Sequence, residues 1–309
     1  MTDEADSEAR PLYWRQMFYQ QYKSTFIQSK GEISKAWWCH TESELLSGFH
    51  SPFGGFHANQ IVHKSISSEE IKNNLLNLRE NESLRDCSID LLIRTYPENV
   101  FSWWSGGQES SLLELGFKEL YKEIVHYIII QGELSSRWNR NRMREFKGTK
   151  EFLRIHEAAS LDDQFSVLST LNLDALSKGR KFPISKEQFY IMNNTFSPQD
   201  MNLFLCVDER TNSISASAIC QVIDSKSVYV YRWGVFPTST NQRFSPITAL
   251  AHHIYNFYQD LGKEILYLGT SSVKGIANAG LISFKESLGA ESSYSSVFIL
   301  KPIDALKWS

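Results

Sequence analysis

One helix near the C-terminus restricts the possible folds more than any other segment. In the run "SPITALAHHIYNFYQDLG", Ser245 is a typical helix cap, Pro246 suits the first helical position and Gly262 is a typical helix stop. The apolar residues between them recur at helical spacing, which predicts one buried face. Runs typical of strands lie on both sides of the helix, so this part of the chain belongs to an α/β arrangement.

The second half of the chain predicts the order strand, strand, strand, helix, strand, helix, strand. The β-branched and aromatic runs "NLFLCVDE", "SISASAICQVID" and "SVYVYRWGVF" precede the helix. The strand "EILYLGTSS", the short helix "NAGLISFKESLG" and the strand "SSYSSVFILK" follow it. Upstream, residues from about 161 to 200 are predicted to be helical, with a break at "SKGRKFP".

The first half shows a similar order of elements. Strands are predicted at "KAWWCHTE", "GGFHANQIVH", "SIDLLIRTYP" and "KEIVHYIII", and helices at "SSEEIKNNLLNLRENE" and "QESSLLELGF". Both halves end with a short helix, a glycine stop at Gly116 or Gly289, and a strand. We therefore expect an α/β (α+β) fold built from one structural unit used twice, each with a mixed, mostly antiparallel sheet flanked by helices.

The basic segment "SSRWNRNRMREFKGTK" is the best candidate for the boundary, and it gives domains at residues 1–146 and 147–309. Its arginines and lysines oppose a single acidic residue, Glu145. Such a run is typical of a solvated linker or helix face. The other interpretation is a basic flank that attracts phosphate or carboxylate groups.

Composition limits the function classes. The 309 residues are 42% hydrophobic and 22% charged, which suits a globular protein of about two domains. A net charge of −3 gives no reason to expect DNA binding. An acidic N-terminus, short apolar runs and the absence of CxxC pairs predict a cytoplasmic protein without a membrane span or a metal site. All four cysteines are expected to be reduced and mostly buried: Cys39, Cys87, Cys206 and Cys220.

The run "SPFGGF" places two glycines between two phenylalanines, with a histidine directly after. Glycines in strand-rich segments often mark a plain turn or bulge. They also mark places where a ligand lies against the main chain, because no side chain keeps it away. The residues of this candidate ligand site are Phe53, Gly54, Gly55, Phe56 and His57.

The segment "LYLGTSSVKGIANAGLISFKESLGA" resembles the GNAT-type acyltransferase fold, and more narrowly the tandem GNAT-like proteins of the Fem aminoacyltransferase group. The resemblance covers roughly residues 35 to 300, and "SPFGGF" is similar to a Pro-aromatic-Gly-Gly segment of that group. The residues that match its second-domain pattern are Leu268, Gly269, Thr270, Ser271, Gly280, Leu281, Phe284, Lys285, Leu288 and Gly289.

The resemblance implies an acyl or aminoacyl transferase that takes its acyl group from acetyl-CoA or from another donor such as aminoacyl-tRNA. The acceptor would be a small-molecule or peptide-like amine or hydroxyl. The pyrophosphate-binding loop departs from the acetyl-CoA pattern, because residues 235–246, "VFPTSTNQRFSP", contain no glycine. The alternative is a catalytically degenerate module that binds a peptide or a cell-wall-precursor-like ligand without turnover.

The resemblance also implies the site residues. The fourth strand of such a fold splays from the fifth near Trp233 and Gly234, and backbone N–H groups there stabilise an oxyanion. Strand periodicity places Tyr229, Tyr231 and Trp233 on one face. The expected site residues are Trp233, Gly234, Val235, Ser245, Ser271 and Asn278 for the donor, Tyr294 and Lys285 for catalysis as general acids, and Arg94 with the "SPFGGF" site for the acceptor.

Overall fold

The structure is a computed structural model that describes residues 25–30, 34–40, 44–47, 56–58, 68–79, 90–95, 97, 100, 107–149, 151–179, 184–195, 199–237 and 245–301. Its contacts divide the chain into two units. The first unit comprises residues 1–124, 272–277 and 293–309, and the second comprises residues 125–271 and 278–292.

The strands follow in chain order as β1 Thr25–Lys30, β2 Ser34–His40, β3 Glu44–Ser47, β4 Phe56–Ala58, β5 Asp90–Arg94, β6 Lys118–Ile129, β7 Leu153–Glu157, β8 Met201–Asp208, β9 Ser213–Val222, β10 Ser227–Val235, β11 Ile265–Thr270, β12 Ser272–Val273, β13 Ile276–Ala277 and β14 Glu291–Leu300. The helices are α1 Ser68–Arg79, α2 Gly107–Glu114, α3 Arg140–Thr149, α4 Leu161–Ser177, α5 Lys186–Thr195, α6 Pro246–Asp260 and α7 Ala279–Ser287, with a 3-10 turn at Leu134–Arg137.

The sheet of the second unit has the strand order β7-β8-β9-β10-β11-β6. All neighbours are antiparallel except β10 and β11, which run parallel. A parallel pair needs a crossover connection, and α6 supplies it. The predicted strands and helices of this half are all present, including the break between α4 and α5.

Helix α6 forms the core of the second unit on one face of this sheet. Leu250, Ile254 and Tyr258 are fully buried among residues of β8 to β11, as the helical spacing predicts. Gly262 follows the helix with φ +72, the left-handed conformation that ends a helix. Ser245 precedes it, but its hydroxyl accepts a hydrogen bond from the Thr248 hydroxyl rather than from the helix backbone.

Helix α4 contacts β9 and β10 on the opposite face of the sheet. Strand alternation explains the two layers, because Ala216 and Ala218 of β9 pack in the α6 core while the Ser217 hydroxyl donates to the carbonyl oxygen of Val167 on α4. Any residue of β10 that faces α4 therefore faces a different set of side chains from one that faces α6.

The sheet of the first unit has a similar but shorter order of pairings, with two antiparallel pairs before its parallel pair where the second unit has three. Its strands run β1-β2-β3-β5-β14, with β4 paired to β2. The neighbours are antiparallel except for the parallel pair of β3 and β5. Helix α1 lies between these two strands in sequence, contacts β1 and β2, and buries Ile71 and Leu75. The strand order of the first unit is thus similar to that of the second, and the predicted repeat of one structural unit stays a prediction.

Most of the basic segment forms α3, a helix of the second unit, so its interpretation as a helix face fits better than that of a linker. The predicted boundary between the two domains, at residues 146 and 147, falls inside this helix. The boundary stays a prediction about the organisation of the chain. Arg142 is mostly buried rather than solvated. Its guanidinium donates to the hydroxyls of Thr248 on α6 and Ser287 on α7, and it pairs with Glu145.

The remaining expectations from composition concern the cysteines and the membrane. Cys206 and Cys220 are buried free thiols, as predicted, and burial raises the pKa of Cys206 to about 12. Cys87 lies outside the described residues. Within the described part of the chain, none of the helices combines the length and the apolar character that a bilayer crossing requires.

Replacing Arg142 with alanine is expected to lower the free energy of unfolding by about 1–3 kcal/mol, since two hydroxyls and a carboxylate lose a charged donor. Chemical denaturation measures the loss. Arg144→Ala, on the exposed side of the same helix, is the control and should change stability by less than about 0.5 kcal/mol. Equal effects of the two substitutions would contradict a connecting role for Arg142.

Candidate active site

The ladder between the parallel strands at the centre of the second unit is short. Strands β10 and β11 pair at three positions, from Ser227–Ile265 to Tyr229–Tyr267, and within the described residues their pairing ends there. Each strand then changes register against its outer neighbour, β10 between Val230 and Arg232 and β11 between Tyr267 and Gly269. Such bulges bend a strand. We call the space between residues 231–235 of β10 and 268–270 of β11 the slot.

Backbone N–H groups of β10 face the slot. The Phe236 N–H donates to the Ser215 carbonyl oxygen of β9, so in this ladder the even-numbered residues from 232 to 236 bond β9. The N–H groups of Trp233 and Val235 therefore point away from β9 and toward the slot. The Val235 N–H donates to Oδ1 of Asp174 at 3.2 Å.

Asp174 accounts for the glycine at position 234. This buried carboxylate on α4 also accepts from Nζ of Lys178 at 2.6 Å. A Cβ added to Gly234 would lie 2.9 Å from the Asp174 Cβ, closer than real side chains approach. The sequence predicts Gly234 as the place where an acyl carbonyl reaches the backbone. That role stays a prediction, and the structure adds a packing reason for the glycine.

Simple alternation predicts that Trp233 shares a face with Tyr229 and Tyr231. That prediction is wrong. The bulge between Val230 and Arg232 adds a residue, so Trp233 packs against the α6 core together with Val230. Its ring lies 5.8 Å from the ring of Phe284 on α7. On the other face, the Tyr229 ring contacts the rings of Tyr231 and Tyr267. The tryptophan is thus partly buried against α7.

Lys285 lies at the β11 side of the slot. Its side chain is buried, and Nζ donates to the carbonyl oxygens of Gly269 and Thr270, each at 2.9 Å. Burial lowers the pKa of Lys285 to about 7, because the ammonium has lost its hydration. Successive carbonyls of a regular strand point in opposite directions. Both reach one ammonium here because Gly269 has φ +73.

His126 of β6 lies opposite Gly269 in the ladder and completes a buried polar cluster. Its Nδ1 is 2.9 Å from Oγ of Ser271. Its Nε2 has no hydrogen-bond partner among the described residues. Burial, and then the nearby charge of Lys285, lower the pKa of His126 to about 4, so the ring is neutral at pH 7. Ser271 is thus a partner of His126 here, and its predicted donor role is untested.

The other residues predicted for the donor stand at the ends of helices. Asn278 caps α7, accepting from the Leu281 N–H at 3.0 Å, and its own N–H donates to the Ser271 carbonyl oxygen. Ser245 precedes α6 without a side-chain bond to the helix backbone, and its partner Thr248 also contacts the Arg142 guanidinium. Residues 238–244 of the glycine-free loop lie outside the described residues.

Residues predicted for the acceptor and for catalysis also occur in the first unit. Nη2 of Arg94 lies 3.9 Å from Oε1 of Glu123, so Arg94 faces a carboxylate of the protein itself. Glu123 accepts in turn from the backbone N–H of Lys274 and from the hydroxyl of Ser272 on the β12–β13 hairpin. Tyr294 is 62% exposed. The acceptor and catalytic roles of Arg94 and Tyr294 stay predictions.

The "SPFGGF" site lies mostly outside the described residues. Phe53, Gly54 and Gly55 are not described, while the backbone of Phe56 and His57 belongs to β4, which pairs with β2. The predicted strand is thus present at its start, and the predicted contact with an acceptor stays a prediction.

Comparison with solved structures shows which fold this is. FemX superposes with a TM-score of 0.70 at 11% identity, over 96% of this chain and 94% of FemX. The structure of L-PGS from Bacillus licheniformis gives a TM-score of 0.59 at 10% identity, over 90% and 84% of the two chains. A tandem GNAT protein from the clavulanic acid biosynthesis pathway gives 0.53 at 9% identity, over 87% and 79%.

The chain has a GNAT/Fem-like fold. Identities this low show the fold and leave donor and acceptor undetermined. No family model and no curated protein sequence matches the chain. In this GNAT/Fem-like fold, β10 and β11 are the parallel pair that the sequence resemblance expects to splay beside Trp233 and Gly234. Their pairing ends before these residues, at Tyr229 and Tyr267, and the splaying around a bound acyl group stays a prediction.

Sequence reasoning missed Asp174, His126 and the buried contacts of Arg142. A polar residue inside an apolar stretch was the available signal for two of them: Asp174 interrupts "LNLDAL" and His126 interrupts "IVHYIII". Such residues are rarely buried without partners. Their partners lie far away in sequence, so the contacts themselves had no local signature.

Replacing Gly234 with alanine is expected to lower the free energy of unfolding by about 1–3 kcal/mol, since the new methyl group overlaps Asp174. Gly280→Ala is the control, because its Cβ would meet only Asn278 Oδ1, at an ordinary 3.6 Å, and alanine favours a helix. Chemical denaturation measures both. An unchanged stability of the Gly234 variant would contradict the close approach of Asp174.

Acid should destabilise the second unit through His126. Its pKa is about 4 when folded and about 6.5 when unfolded, so the unfolded chain binds an extra proton between these values. The free energy of unfolding therefore falls as pH drops from 6.5 to 4, and the contribution is complete below pH 4. The slope of unfolding free energy against pH that His126 contributes is at most about 1.4 kcal/mol per pH unit, and it should be absent in His126→Gln. Denaturation midpoints across this range measure it, and parallel curves would refute it.

Proposed function

We propose that the chain is an acyl or aminoacyl transferase that moves an activated acyl group to an amine or hydroxyl acceptor within the second unit. The observation that supports this is the slot. Two parallel strands separate after Tyr229 and Tyr267, and the N–H of Trp233 points into the space between them. A fold that only needed a stable sheet would continue this ladder, because each unpaired backbone group is costly.

The proposed chemistry depends on positioning and on stabilisation of charge. When the acceptor attacks the acyl carbonyl, negative charge develops on its oxygen, and a fixed N–H donor stabilises it. The Trp233 N–H is the candidate donor, since the Val235 N–H is already bound to Asp174. The backbone of Trp233 on β10 and the left-handed backbone of Gly269 on β11 border the same slot. Direct transfer between bound donor and acceptor needs no covalent enzyme intermediate.

The donor is proposed to be acetyl-CoA or an aminoacyl ester such as aminoacyl-tRNA, and the acceptor a small-molecule or peptide-like compound. For a phosphate-bearing donor, Arg142 next to the start of α6 supplies positive charge, which helix N-termini reinforce. The similar structures are those of a Fem protein, of L-PGS and of a tandem GNAT protein, which supports transfer chemistry of this class.

We also propose that the first unit is a second GNAT-like domain. The order of its strand pairings, with one parallel pair flanked by antiparallel neighbours, is the order found in the second unit. The predicted acceptor residues Phe53, Gly54, Gly55, Phe56, His57 and Arg94 belong to this unit.

The second candidate is a ligand-binding module without turnover. The observation that favours it is the state of the two predicted proton donors: the amine of Lys285 is bound to two backbone carbonyls, and Tyr294 belongs to the first unit. Calorimetry with acetyl-CoA and turnover assays with aminoacyl-tRNA separate the candidates. Binding or transfer of either donor supports the transferase, whereas neither would leave the binding module.

Replacing the Trp233 amide with an ester, by incorporating the α-hydroxy analogue of tryptophan, removes the proposed oxyanion donor and keeps the ring. We expect kcat to fall about 10²–10³-fold with donor affinity nearly unchanged. The matched control is the same exchange at Val235, whose N–H bonds Asp174. That variant should lose stability and keep most of its kcat. Equal losses of kcat at the two positions would contradict the role of Trp233.

A further inference from the structure

The strand edges beside the slot carry backbone N–H and carbonyl groups that a continued ladder would pair with each other. Here side chains of opposite charge form hydrogen bonds with some of these groups. Asp174 accepts from the Val235 N–H on the β10 side. Lys285 donates to the Gly269 and Thr270 carbonyl oxygens on the β11 side. In a regular parallel ladder, one of those two carbonyls would accept an N–H from β10.

We propose that Lys285 is a positioning residue that keeps the slot open by occupying the carbonyl oxygens of Gly269 and Thr270. With these acceptors taken, the Trp233 N–H has no carbonyl of β11 to bond and stays available to a ligand. This role differs from the general acid that the sequence predicts for Lys285. The hydrogen bonds of Lys285 exist without any ligand. Only the catalytic importance of an open slot rests on the proposed acyl transfer.

The surroundings of Lys285 suit a fixed hydrogen-bond donor. Its side chain is 2% exposed, and both carbonyl contacts are 2.9 Å long. The titratable group that faces it from β6 is His126, which stays neutral and bonds Ser271. An amine that is held by two acceptors in a closed environment has its protons committed to them, so it is poorly placed to deliver one to a leaving group.

Amide hydrogen exchange at Trp233 tests the proposal without a substrate. In Lys285→Met the two carbonyls lose their donor, and β11 is expected to pair with β10 through the freed acceptors. Exchange of the Trp233 amide should then slow about fivefold, the factor that a net hydrogen bond of about 1 kcal/mol gives. In Lys285→Gln the side-chain amide still donates, so exchange should stay within about twofold of the wild-type rate.

The matched control is Lys263→Met. Lys263 also donates to two backbone carbonyls, those of Asp224 at 2.8 Å and Ser225 at 3.1 Å, but these precede β10 and lie away from the slot. This variant should leave Trp233 exchange unchanged. Unchanged or faster exchange in Lys285→Met, with native circular dichroism, would overturn the proposal, as would an equal slowing in the control.

Turnover separates positioning from proton transfer. If Lys285 positions the slot, Lys285→Gln keeps kcat within a few-fold, whereas Lys285→Met raises KM for the acyl donor. If Lys285 delivers a proton, both variants lose kcat equally and the positioning role is wrong. A wild-type chain that transfers no acyl group would count against the proposed function, while the exchange experiment would still decide the role of Lys285.

Discussion

The separation of β10 from β11 is the constraint on which the rest of the second unit depends. Each strand keeps an antiparallel neighbour on its outer side, β9 or β6, and each takes its bulge against that neighbour. The outer ladders therefore continue while the inner ladder ends at Tyr229 and Tyr267. Because bulges raise local twist, two of them at the same level account for the end of the inner ladder while the outer ladders continue.

An open ladder leaves polar backbone groups that must find other partners, and this requirement explains both glycines at the slot. Asp174 can reach the Val235 N–H only because Gly234 has no side chain in its way. Gly269 adopts φ +73, and a Cβ there would lie 3.3 Å from the Tyr229 ring. The two glycines thus allow side chains to bond the backbone groups that the ended ladder leaves unpaired. This role leaves room for a ligand to approach the backbone from the slot side.

The sequence predicts those parts of the fold whose cause is local. Helix α6 follows from its apolar spacing, from Pro246 and from Gly262, and the position of the slot follows from a family resemblance around Trp233. The face of Trp233 was wrong because one bulged residue reverses the alternation, and a bulge has no signature in "YVYRWG". Asp174 and His126 were missed because their roles come from contacts between distant segments. The buried contacts of Arg142 were missed because a basic run gives no sign that one member turns inward.

The charges around the slot favour an anionic transition state under the proposed chemistry. Asp174 would oppose negative charge there, but Lys178 lies 2.6 Å from its carboxylate and offsets it. On the other side, the Trp233 N–H presents its positive end to the region where an oxyanion would form, while the Lys285 amine is held by the Gly269 and Thr270 carbonyl oxygens. Buried dipoles and charges act strongly because little water screens them. A slot whose open edges are compensated in this way is already polarised before any substrate arrives, which is the arrangement that electrostatic catalysis requires.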